Sequence, residues 1–264
     1  MLQYNIRFHF LGESFFKKWG DILEKTKRTK TQKLYILCRI LVVLLLLTST
    51  ISIFLSHDIS DSSKSRNVFV ATQSFLLLIS SFVPSYLEKK WNVDIPNFLE
   101  IIFLLFCICA MFLGEICEFY KKVFWWDSML HALSGGLLAI LGFSIIRILN
   151  NRESKDFNLS PIFECVFVVC FSVMLGVVWE IVEYAADGIT GSNMQRYMDN
   201  YDSSIIFSGR RALADTMKDL ILDVIGATAV STLGYFDLSL KKGWINKWIF
   251  RINSKNNIEN SEEN

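Results

Sequence analysis

The sequence predicts an all-α, polytopic transmembrane helix bundle of about six spans with both termini cytoplasmic, and three observations carry that reading. Hydrophobic residues fill 52% of the 264 positions and the mean hydropathy is +0.35, well above a soluble globular average. Apolar residues gather into six long runs separated by polar segments, each run near the length of about 17 to 25 residues that crosses a bilayer. Phe is common at 22 and Pro rare at 3, which suits long apolar helices with aromatic ends rather than a turn-rich β fold.

Residues 1–33 carry Arg7, Lys17, Lys18, Lys25, Lys27, Arg28, Lys30 and Lys33, with Phe15, Phe16, Trp19, Ile22 and Leu23 spaced as an apolar stripe. That pattern predicts a basic amphipathic helix lying on the cytoplasmic membrane surface. The first apolar run, 34–56, starts too late and runs too long for a cleaved signal peptide. Five more spans are expected at 67–83, 97–117, 129–149, 161–186 and 215–236, the second being the shortest. Lys and Arg crowd into the two ends of the chain, and because these residues prefer the cytoplasmic side, both termini are assigned there. Residues 237–264 form a cytoplasmic tail, and from Ile252 onward its Asn, Ser and Glu carry too little apolar surface to fold alone.

The net charge of +1 lacks the basic excess that phosphate-backbone binding requires, so no nucleic-acid partner is expected. The six cysteines lie in or beside apolar runs and read as small lipid-phase side chains rather than a disulfide frame or zinc knuckle. His-Glu-x-x-His, Gly-x-Ser-x-Gly and Walker patterns are missing from the sequence, so zinc-protease, serine-hydrolase and P-loop readings lose their signals.

Ionisable residues on the last four spans are the unusual feature. Glu115 and Glu118 end the third span, and Asp127 and His131 open the fourth, four residues apart and on one face. Glu180, Glu183 and Asp187 make one stripe at the end of the fifth. Asp215, Asp219 and Asp223 make another at the start of the sixth. All four helix ends lie at the same, outer, membrane level. A charge facing lipid at mid-bilayer costs roughly 2.5–3.5 kcal/mol even on lenient scales, so Glu180, Asp219, Asp223 and His131 are expected to face the bundle interior. Clustered carboxylates repel one another unless protonated, paired with bases or bound to a cation. The nearby bases are Lys121, Lys122, Arg196, Arg210, Arg211 and Lys218, most of them in loops.

Simpler roles exist for several of these residues. Asp215 suits a helix first turn, where the dipole favours an acid. Gly135-Gly136, Ala139 and Gly142, and Gly226, Ala227 and Ser231, are small residues that let helices approach. Trp125-Trp126 and Trp244 with Trp248 are expected to be interfacial anchors. The outer loop from Asp187 to Ala214 is longer than most connections, and its place beside the acids suggests a lid or substrate contact.

Taken in order, Asp127-x-x-x-His131 with Ser134-Gly135, Glu180-x-x-Glu183-Tyr184, Gly191-x-x-x-Gln195, and Asp215-Thr216-x-x-Asp219 with Gly226-Ala227 resemble the YjdF-like bacterial inner-membrane proteins over roughly residues 97–236. The resemblance implies a multi-pass protein of the bacterial cytoplasmic membrane and marks Asp127, His131, Glu180, Glu183, Asp215 and Asp219 as pattern positions; it supplies no reaction. In this chain the Gly-x-x-x-Gln segment lies some twenty residues before Asp215, whereas the family pattern runs the two close together.

The expected site binds a divalent cation such as Mg, Mn or Zn through Glu180, Glu183, Asp215 and Asp219, with His131 oriented by Asp127 as the catalytic pair. Its chemistry would be cation-dependent hydrolysis of a membrane-associated substrate. The alternatives are a cation- or proton-coupled transporter, or a structural protein whose acids serve helix assembly. Expected partners are the lipid bilayer and a small molecule, lipid or ion.

Overall fold

The computed structural model of the chain describes residues 30–54, 61–152 and 159–252. The basic segment expected over 1–33 therefore lies almost wholly outside the described residues, as does the end of the tail. Among the described residues, six helices are long and apolar enough to cross a membrane: Lys30–Phe54, Lys64–Trp91, Asn97–Ile116, Trp126–Leu149, Pro161–Thr190 and Ala214–Leu240. In order, the elements are α1 (Lys30–Phe54), α2 (Asp61–Ser80), α3 (Val83–Trp91), β1 (Val93–Asp94), α4 (Asn97–Cys107), a π-helical stretch (Ile108–Ile116), α5 (Phe119–Lys122), α6 (Trp126–Arg152), α7 (Pro161–Thr190), α8 (Ala214–Leu240) and β2 (Arg251–Ile252).

The chain divides into two compact units. In the first, comprising α1, α2 and the start of α4, the Tyr35 hydroxyl donates to the Glu100 carbonyl at 2.8 Å. Arg39 donates from Nη2 to the Ser81 carbonyl at 2.7 Å and stacks its guanidinium 3.9 Å from the Phe82 ring centre. A cation inside an apolar helix is thereby spent on a carbonyl that the end of α2 leaves free. The second expected span is longer than 67–83 and breaks at Ser81-Phe82, because Pro84 lacks the N–H needed to continue α2 but fits the first turn of α3.

In the second unit α6, α7 and α8 pack on one another pairwise. Ser160 caps α7 by accepting from Phe163 N, and Gly191, at φ +67°, ends it in a left-handed cap. α6 and α8 meet through glycines: a Cβ on Gly226 would collide with the Ala132 carbonyl oxygen, and one on Gly135 with the Asp223 carbonyl oxygen. Ala139, Phe143, Ile146, Cys165, Val168 and Ala227 fill the seam toward the far end of the helices. There the segment after α8 folds back on itself: Asp237 accepts from Trp244 N and Ile245 N, and β2 pairs antiparallel with β1. Trp126 departs from its expected anchor role. It is buried and donates Nε1–H to the Cys109 carbonyl, while Trp125 alone of that pair stands half-exposed.

Candidate functional site

The start of α6, the end of α7 and the start of α8 lie at one end of their three-helix packing, and the acids of all three turn inward. A 3.6-residue repeat sets Glu180, Glu183 and Asp187 on one face of α7, and all three are buried. Asp219 and Asp223 on α8 are 2% and 1% exposed, and Asp127 and His131 on α6 are buried as well. Gly176 makes room for this: a Cβ there would strike the Asp223 carboxylate.

His131 sits between two acids. Its Nε2 lies 3.8 Å from Asp127 Oδ1 and its Nδ1 3.5 Å from Asp223 Oδ1, and Asp223 Oδ1 also accepts from the Ser134 hydroxyl at 3.1 Å. Among the described residues, Asp127, His131 and Asp219 each offer a ligand atom within 4.8 Å of the other two. His131 Nδ1, Glu180 Oε1, Asp219 Oδ1 and Asp223 Oδ2 are buried with no hydrogen-bond partner. A buried polar atom without a hydrogen bond is costly, and two of these four have only a charged neighbour at longer range: His131 Nδ1 faces Asp223 Oδ1 at 3.5 Å and Asp219 Oδ1 faces Lys218 Nζ at 3.6 Å.

Of the four carboxylates expected to bind a cation, Asp219 alone offers a ligand atom to the group with Asp127 and His131; Glu180 keeps one oxygen without a hydrogen bond, and Glu183 and Asp215 are held by neighbouring side chains. Asp215 Oδ1 receives Lys218 Nζ at 2.8 Å and Arg196 Nη1 at 3.6 Å. Glu183 accepts from Trp179 Nε1 at 2.8 Å, and Glu180 Oε2 receives Gln195 Nε2 at 3.4 Å. Asp187 accepts from Ser192 Oγ, Met194 N and Gln195 N at 2.7 to 2.9 Å, which pins the loop after α7.

That loop supplies the residues that spacing alone did not place. Gln195 also donates to Thr216 Oγ1 at 3.1 Å, so the Gly191-x-x-x-Gln195 segment reaches α8 despite its separation from Asp215 in sequence. Arg196, at φ +47°, puts Nη2 3.5 Å from Asp127 Oδ2 and donates to the Tyr120 carbonyl. A left-handed arginine carries no sequence signal. Tyr120 packs against Gly114 of the π-helical stretch. Burial, and behind it the carboxylates of Asp127, Glu115 and Glu183, push its phenol well above the ordinary value, so it keeps its proton.

The family model described as "Predicted membrane protein (DUF2238)" matches residues 36–239. The chain belongs to this family. The match takes in every residue of the site, and the YjdF-like resemblance is to the DUF2238 family. An uncharacterized protein of Thermotoga maritima is 24% identical over 161 residues, which cover 61% of this chain and 74% of that protein. No solved structure matches the chain.

Proposed function

We propose that this DUF2238 protein is a divalent-cation-dependent hydrolase of the bacterial cytoplasmic membrane, acting on a membrane-associated substrate, with the cation held by Asp127, His131 and Asp219. The observation that carries this reading is the buried convergence of those three ligand atoms within 4.8 Å, two of the residues keeping a buried atom without a hydrogen bond. Two carboxylates and one imidazole suit Mg, Mn or Zn. A divalent ion at such a site supplies charge stabilisation and a water acidic enough to act near neutral pH. The chain's own residues hold and orient. Asp223 faces the second nitrogen of His131, and Glu180 keeps an unpaired carboxylate oxygen that suits proton acceptance. Beyond Asp223 the seam between α6, α7 and α8 is filled by Ala139, Phe143, Val168 and Ala227, which favours a blind site over a permeation path.

The test is metal content of the full chain purified in detergent. About one divalent ion per chain is expected, lost in His131→Ala and Asp219→Asn and kept in Glu164→Gln. An empty wild-type protein, or equal content in all four, defeats the proposal. Vesicles of bacterial polar lipids then decide the chemistry. Metal-dependent release of a soluble product supports hydrolysis, whereas ion flux without product replaces it by transport.

A further inference from the structure

The mouth of the site differs in charge from its floor. Arg196 and Lys218 have side chains 18% and 39% exposed, above an Asp219 that is 2% exposed. Both bases converge on one oxygen, Asp215 Oδ1. Each also stands beside one of the proposed ligand acids: Arg196 Nη2 is 3.5 Å from Asp127 Oδ2, and Lys218 Nζ is 3.6 Å from Asp219 Oδ1. Among the described residues the side chain of Arg196 makes one hydrogen bond, to the Tyr120 carbonyl, and that of Lys218 one, to Asp215 Oδ1. A guanidinium has five N–H donors and an ammonium three, so donors remain over. α8 begins beside them, and Asp215 in its first turn already meets the positive end of the helix while gathering both bases there.

We infer that Arg196 and Lys218, gathered by Asp215 beside Asp127, His131 and Asp219, form a phosphate subsite, so that the substrate is a phosphate ester. This rests on the cation reading above. Asp127, Asp219 and Asp223 would repel a phosphate, and only a divalent ion among them makes the neighbourhood hospitable to one. Oxygens shared between the ion and the two bases would then be bound from both sides. Phosphate binding must therefore require the metal.

The measurement is calorimetric titration of the full chain in phosphatidylcholine nanodiscs, loaded with Mn, with inorganic phosphate as the probe. Saturable binding is expected with Mn and none without it. Lys218→Gln and Arg196→Gln should each weaken binding about tenfold or more, as the loss of a charge-assisted contact does, while Mn content stays at the wild-type level. Lys218→Gln is the safer variant, since Arg196 also holds the loop to Tyr120. Competition by phosphatidic acid, but not diacylglycerol, would assign the phosphate to a lipid; lack of competition by either would assign it to a soluble ester. Mn-loaded protein that ignores phosphate, or binding undiminished in both variants, overturns the subsite alone. Protein that takes up no Mn overturns the cation reading and the subsite with it.

Discussion

Asp127 and Asp223 approach opposite nitrogens of His131, at 3.8 and 3.5 Å, and this divides their duties. With the proposed cation at Nε2, on the side of Asp127, the imidazole would carry its proton on Nδ1, toward Asp223. A closure of a few tenths of an ångström would turn the Nδ1 approach into a hydrogen bond of ordinary length. Asp223→Asn should therefore lower divalent-ion affinity by about 10- to 100-fold with stoichiometry intact at saturation, the usual effect of losing a carboxylate behind a metal-bound imidazole. Equal affinities in a competition titration would strip Asp223 of this role. Sequence reasoning singled out Asp127, His131 and Asp219 because ionisable groups on apolar helices are conspicuous, but it gave the cation to Asp219 with Glu180, Glu183 and Asp215 and kept Asp127 and His131 as a catalytic pair. It could not tell that Asp215 is taken up by Lys218 and Arg196, since the second base arrives from a loop.

At the level of elements, backbone contact between α6 and α8 decides which acids meet. Gly226 lies against the Ala132 carbonyl and Gly135 against Asp223, so any side chain at either place must push the helices apart. Gly226→Ala should cost about 1–3 kcal/mol, as overpacking does, read as a lower melting temperature of the detergent-solubilised protein. An unchanged melting temperature would mean that the seam yields. These small residues were legible as packing surfaces, but their depth of contact was not. Periodicity fixes the phase of a residue around its own helix and says nothing of how near a neighbour comes. The end of α7 was likewise under-read, because Asp187 looks like a boundary residue in sequence yet is buried inside the helix, serving the loop.

For the whole molecule, six helices among the described residues are long and apolar enough to cross a membrane, and the Lys and Arg residues crowded at the two ends of the sequence predict that both ends face the cytoplasm. A reporter domain that works only in the cytoplasm should be active when fused to either end of the chain; silence at both ends would overturn that assignment and turn the protein over. The number of spans was legible because a bilayer demands runs of about 20 apolar residues. Their bounds were less so. α6 begins at Trp126 and α8 runs to Leu240, past the apolar residues, since helices continue for as long as buried partners such as Asp127 and Asp237 reward them.

The Asp187 anchor has a bearing on how the protein is made. Its three hydrogen bonds reach only five to eight residues ahead, so they close a short loop at small entropic cost. All the partners leave the ribosome before α8 does. Gln195 and Arg196 can thus be set in position on α7 while the last helix is still being synthesised, and α8 arrives at a surface already shaped to receive Thr216 and Asp215.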